Sequence, residues 1–191
     1  MDITSYLLGK NSAGGGGGSD LDWTALGYEE RPQAIDDAYN VALKIKNEWN
    51  STSSLKTYQY EVVICPMVDT SAKTSFRYFA QNCYKLLQIP LLDTSNVTNM
   101  ANAFNGCYSL TTIPALNTSK VTNVSSMFNN CYCLSDESLN NILAMCINAT
   151  SYTGTKTLAN IGISSTYYSV EKIQALSNYQ AFIDAGWTIG Y

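Results

Sequence analysis

The side chains of this chain best suited to chemistry recur at one spacing. Cys83, Cys107 and Cys131 lie 24 residues apart, and each is followed at once by a tyrosine, Tyr84, Tyr108 and Tyr132. A thiol can serve as nucleophile or metal ligand, and a row of phenols beside Asn99 and Asn123 offers rings and amides to a sugar. The chain has no histidine, which removes the commonest general base and the commonest metal ligand together. A metal site built from Cys131, Cys133 and Cys146 would lack paired Cys-x-x-Cys knuckles, so neither a metal nor a cofactor is expected. The carboxylate pairs Glu29-Glu30, Asp36-Asp37 and Asp136-Glu137 fall near expected helix starts, where acids complement the helix dipole. A glycosidase needs two carboxyls facing one cleft, and spacing alone does not reveal such a pair. No catalytic residue is assigned.

Thiols that share one repeat position can stack as a ladder of small buried packing residues. All six cysteines are therefore expected to be free. Two roles stand for the tyrosines: cover for the neighbouring unit, or a surface that binds a ligand. Asn99 and Asn123 carry the same ambiguity, since such residues often satisfy their own backbone in turns.

The spacing belongs to a wider repeat. Pro66, Pro90 and Pro114 share it, as do Asp69-Thr70-Ser71, Asp93-Thr94-Ser95 and Asn117-Thr118-Ser119, and then Leu86, Leu110 and Leu134. A gapless period of this length predicts stacked structural units. Leu110, Ile113 and Leu116 have strand spacing, with Pro114 removing one ladder donor. Val97, Met100 and Phe104 predict a short helix begun by Ser95 or Thr98 and ended at Asn105-Gly106. The reading is an α/β repeat, a short leucine-rich-repeat-type solenoid of about three 24-residue coils with helical caps at both ends.

The flanks complete the organisation. Residues 1–10 carry Ile3, Tyr6, Leu7 and Leu8 and read as a docking peptide; residues 11–19, with Gly14 to Gly18, read as a linker. A helix over 32–49 belongs to an N-terminal cap, 20–61, whose last residues from Tyr58 begin the first strand, Tyr58–Cys65. The repeats run 62–137. A C-terminal cap, 138–191, is expected to hold a helix begun by Asp136 or Ser138, a strand at Ile161–Ile163, a helix over Ser169–Ala185 and a closing strand over Trp187–Tyr191.

Composition narrows the partners. The net charge is −4 and the pI near 4.7, so no basic footprint suits a nucleic-acid backbone. Between Asp93 and Lys120 no residue is charged, and recognition there would use hydroxyls, amides and rings. Neither a secretory signal nor a membrane span is visible, so no membrane insertion is expected.

Thr94-Ser95, Val97-Thr98, Phe104-Asn105, Cys107-Tyr108 and Leu110, repeated as Thr118-Ser119, Val121-Thr122, Phe128-Asn129, Cys131-Tyr132 and Leu134, resemble the BspA-like leucine-rich repeat, also found in mycoplasma surface lipoproteins. The first copy departs from it at Lys73 and Ala80. The resemblance implies adhesion or ligand binding, without catalytic residues to carry over. The segments Met1–Lys10 and Leu176–Tyr191 look like those of repeat proteins encoded by phages and prophages of gut Firmicutes. That likeness implies a non-enzymatic virion protein of fibre or decoration type, assembled in the host cytoplasm. Its partners would be other virion proteins through the N-terminal peptide, a host surface glycan or protein, and a second copy of itself. The alternatives are a bacterial cell-surface adhesin and, more distantly, a carbohydrate-active hydrolase.

Overall fold

Between Phe76 and Cys107 the backbone amides divide their hydrogen bonds between two destinations. The amides of Phe76, Tyr78, Ala80 and Asn82 donate to the carbonyls of Asn99, Ala101, Ala103 and Asn105, at 2.7 to 3.2 Å. One unit later, Met100, Asn102, Phe104 and Gly106 donate in the same way to Asn123, Ser125, Met127 and Asn129. The alternate amides close turns within their own unit, as Phe79, Gln81 and Cys83 do by donating to Phe76, Tyr78 and Ala80. An α-helix would direct every amide four residues back, and a sheet strand would direct its amides to flanking strands. This segment sends alternate amides to the next unit and the others only three residues back, and is therefore neither.

The computed structural model describes residues 33–190. Among these, four α-helices are formed: α1 (Gln33–Glu48), α2 (Asp136–Asn148), α3 (Val170–Gln174) and α4 (Tyr179–Asp184). A short 3-10 helix covers Leu55–Tyr58. Among the described residues no strand or sheet is formed; pairing there is confined to isolated parallel bridges such as Ile64 with Gln88, Gln88 with Thr112, and Asn99 with Asn123. The expected α/β leucine-rich-repeat solenoid, with a strand and a helix per coil, is thus corrected. The period survives as units laid on one another in register, held one bridge at a time. The predicted helix around Val97 to Phe104 is a run of turns instead.

Two left-handed backbone positions per unit produce those turns. Tyr78, Asn102 and Ser126 have φ of 62°, 57° and 54°, and Asn82, Gly106 and Asn130 have φ of 61°, 79° and 61°. Asparagine and glycine tolerate this region best. At Gly106 a Cβ would also run into the Oδ1 of Asn82 in the unit beneath.

The Asp/Asn-Thr-Ser triplets supply the other staple. The first residue takes the amide of the third on its side-chain oxygen, as in Asp93 with Ser95 at 2.9 Å and Asn117 with Ser119 at 3.0 Å. The hydroxyl and then the amide of Ser71 and of Ser95 hold the carboxyls of Asp69 and Asp93, respectively, below their ordinary range. The middle threonines are buried, and Thr70 and Thr94 donate their hydroxyls at 2.8 Å to the carbonyls of Asp93 and Asn117 in the next unit. Ser95 and Thr98, expected as helix starters, begin no helix; the Thr98 hydroxyl donates to the Thr74 carbonyl at 3.2 Å.

Apolar side chains at equivalent positions fill the interior: Val62, Leu86, Leu110 and Leu134, and Phe104 over Phe128 at 5.5 Å. The first unit exchanges two neighbours, carrying Phe79-Ala80 where the second carries Ala103-Phe104, and Phe79 stacks on Phe76 at 4.2 Å. Lys73 stands where Val97 and Val121 stand in later units. Its buried stem keeps the apolar contact while its ammonium donates to the Ser51 carbonyl at 2.8 Å and to that of Ser53, and lies over the Trp49 ring. Burial lowers the Lys73 pKa.

The far edge is closed by side chains. Ser135, rather than Asp136 or Ser138, caps α2. Ser138, which falls where a proline would recur, is buried; its hydroxyl donates to the Thr111 carbonyl at 2.8 Å and accepts the Ile113 amide at 3.0 Å. Asn141 donates to the Ile113 carbonyl, and Asn148 accepts the Thr118 amide. The helix expected over Ser169–Ala185 is split into α3 and α4, with the Asn178 amide turned to Asn140 Oδ1 at 2.9 Å. The strands expected at Tyr58–Cys65, Ile161–Ile163 and Trp187–Tyr191 are not formed across the described residues; Thr188 makes a single bridge to Thr157.

The buried staple makes a differential prediction. Thr94→Val leaves the Asn117 carbonyl without its donor and is expected to cost about 1–3 kcal/mol in urea unfolding. Thr98→Val, at an exposed hydroxyl, should cost less than half of that.

Candidate functional site

The tyrosines that recur with the period form one column of rings. Tyr84 and Tyr108 are 5.1 Å apart between ring centres, and Tyr108 and Tyr132 are 5.3 Å apart and within 11° of parallel. The structure extends the column at both ends. Tyr60 lies 6.1 Å from Tyr84, and Tyr167 lies 4.3 Å from Tyr132. Tyr60 stands one period before Tyr84, so its place was readable from spacing; Tyr167 lies outside the repeat and carried no such signal.

The column stands at the surface. Tyr60, Tyr108 and Tyr167 are 66%, 43% and 49% exposed, and Tyr84 and Tyr132 are half-buried. Of these rings, only Tyr108 and Tyr132 stack face to face; Tyr84 is tilted by 39° to Tyr108 and Tyr167 by 32° to Tyr132. The Tyr132 hydroxyl donates to Asn130 Oδ1 at 2.8 Å, and burial followed by the neighbouring Tyr167 raises its pKa. Asn99 and Asn123 each give their side-chain oxygen to a backbone amide two residues on, Ala101 at 2.9 Å and Ser125 at 3.1 Å. That side-chain oxygen is engaged in the local turn.

Cys83, Cys107 and Cys131 are buried at one repeat position directly inside the tyrosines. The Cys107 thiol donates to the Ala80 carbonyl at 3.0 Å and the Cys131 thiol to the Phe104 carbonyl at 3.2 Å, so each also links two units. Burial pushes the Cys83 thiol up to about 12 and raises Cys65, Cys107, Cys131 and Cys146 as well. All six cysteines are free, and Cys133 is exposed. Among the described residues no group of three potential ligands is placed to hold a metal ion, so Cys131, Cys133 and Cys146 are not brought together as one. Asp136 is exposed and pairs with Lys172 at 2.7 Å. Glu29-Glu30, the docking residues Ile3, Tyr6, Leu7 and Leu8, and the linker lie outside the described residues. Among those described, no helix is long and apolar enough to cross a membrane.

Part of this repeat region is similar to a family described from mycoplasmas. Residues 68–161, just under half of the chain, match the family described as Mycoplasma protein of unknown function, DUF285. The match takes in the tyrosine column from Tyr84 to Tyr132, and it reaches Asn160 and Ile161, whose carbonyls accept the Ser126 and Phe128 amides. No curated protein and no solved structure matches the chain.

The thiols give a pH prediction with a definite sign. A buried thiol keeps its proton in the fold longer than in the unfolded chain, where the ordinary value is 9.0. Below that pH its contribution to stability is complete, and it is lost as pH rises toward the folded-state value, by about 1.4 kcal/mol per pH unit for each thiol. Melting temperatures should therefore fall steeply above about pH 9. Cys83→Ala should flatten the slope by one thiol's share.

Proposed function

We propose that this chain is a non-enzymatic binding protein of a phage particle, and that the tyrosine column is its contact surface for a host glycan. The observation that carries the reading is the column itself: five phenols in file, three of them well exposed. Soluble proteins usually bury rings or scatter them, and tyrosine is favoured where one end of a side chain must stay wet while the other packs. The middle stretch between Asp93 and Lys120 is uncharged, which suits a neutral, hydroxyl-rich partner. An extended ligand whose units recur near the 5.1 and 5.3 Å ring spacing would meet one phenol per unit. The outer rings, Tyr60 and Tyr167, each have one neighbour in the column, so sugar C–H groups can lie against them there.

The phage setting rests on the likeness of the flanks, and the repeat resemblance is equally compatible with a cell-surface adhesin. Ile3, Tyr6, Leu7 and Leu8 are the proposed attachment to other virion proteins. Deleting residues 1–19 should leave the thermal melt of the repeats unchanged and abolish incorporation into particles, read by mass spectrometry of purified virions.

The column is tested by replacing its centre. Tyr108→Ala should weaken binding to host cells and to arrayed neutral glycans by about tenfold, equivalent to about 1.4 kcal/mol. The same change should cost stability only on the order of 1 kcal/mol, the scale of aromatic pair contacts. A variant that binds as well as the parent would make the column structural cover.

A further inference from the structure

Two cations converge on one tyrosine in the first unit. Lys56 Nζ lies 5.1 Å from the centre of the Tyr78 ring, and the Arg77 guanidinium carbon lies 4.7 Å from it. Arg77 also donates to the Tyr78 hydroxyl at 2.9 Å, and Lys56 donates to Gln81 Oε1 at 2.8 Å. Both cations are exposed. Among the described residues their hydrogen-bond acceptors are neutral, whereas Lys172 pairs with Asp136.

The tyrosine is itself out of character at its position. Its φ is 62°, and the equivalent left-handed sites in the later units hold Asn102 and Ser126. Small polar side chains suit that backbone and a bulky ring does not. A residue held against its preference beside two like charges points to a purpose other than folding. The ring attracts each cation and so gathers two like charges around one phenol, an arrangement that a negative charge would favour. An oxyanion there would accept charge-assisted hydrogen bonds from both. A polyanion such as nucleic acid would need a basic stripe, which a chain of net charge −4 does not offer.

We propose that Lys56, Arg77 and Tyr78 form a recognition site for a single oxyanion carried on a sugar, either a sulfate ester or a carboxylate. The site does not rest on the tyrosine column, and among the described residues no ring contact joins Tyr78 to the column.

Calorimetric titration of the full chain tests it with four probes: a sulfated disaccharide, a sialylated trisaccharide, and the neutral parent of each. One charged probe should bind at least about tenfold more tightly than its parent, and which one does so identifies the anion. The double variant Lys56→Gln/Arg77→Gln should lose that advantage, while Lys120→Gln, at a cation elsewhere, should keep it. Tyr78→Asn should raise the melting temperature by suiting the left-handed backbone, and yet weaken the charged probe severalfold. Tyr108→Ala should leave charged-probe binding intact, which separates this site from the column. The proposal is overturned if charged and neutral probes behave alike, if the double variant binds as the parent does, or if Tyr78→Asn lowers the melting temperature without touching affinity.

Discussion

The division of backbone amides between neighbour and self is the constraint on which the rest of this structure depends. Each repeat unit turns tightly enough to bring its ends back over the unit beneath, and it does so by sending alternate amides across and the others three residues back. Left-handed residues at two fixed positions keep that alternation in phase, which is why asparagine and glycine sit there in the second unit. Once the phase is set, side chains of one type fall above one another. The thiols, leucines, phenylalanines and tyrosines become columns because the amides do.

An arrangement of this kind leaves open groups at its ends, and buried polar groups must be paired. Unlike residues solve the problem at the two edges. At the amino-terminal side Lys73 reaches out of a valine position to hold the carbonyls of Ser51 and Ser53. At the other side the Ser138 hydroxyl takes over from a missing backbone, serving Thr111 and Ile113 at once. The Tyr168 hydroxyl does similar work, donating to the Cys131 carbonyl at 2.6 Å and accepting the Leu134 amide at 2.9 Å. Departures from the repeat pattern therefore mark the places where a unit meets something other than another unit.

Much of this was legible in the sequence, though not as secondary structure. The period, the burial of Cys83, Cys107 and Cys131, and the in-line placing of Tyr84, Tyr108 and Tyr132 follow from register alone. The helix over Gln33–Glu48 was readable because its apolar spacing and end charges agree. The predicted strands and the helix around Met100 failed because Leu110, Ile113 and Leu116, or Val97, Met100 and Phe104, record which side chains point inward and not where the amides go. Inward positions in a turn run satisfy the same spacing as a short helix. The threonine of each triplet was visible as a recurrence, but a buried hydroxyl that staples units looks the same in sequence as one that caps a helix. Lys56 and Arg77 gave no signal, since their meeting at Tyr78 depends on the 3-10 turn at Leu55–Tyr58 lying beside the next unit.

The exchange of Phe79-Ala80 for Ala103-Phe104 has a consequence for how such a chain can change its length. The first unit keeps its large ring one position earlier than its neighbour, where Phe79 stacks on Phe76 and meets Trp49 and Phe104 edge-on. The second unit, in contrast, has a like partner on its far side, Phe104 over Phe128. Recombination between copies is therefore not free. A duplication of the middle unit inserts a segment whose two faces already match each other, and it would lengthen the phenol file by one ring. A duplication of the first unit would bury a second lysine with no terminal loop to receive it. The molecule is built so that it can grow from its centre and not from its ends.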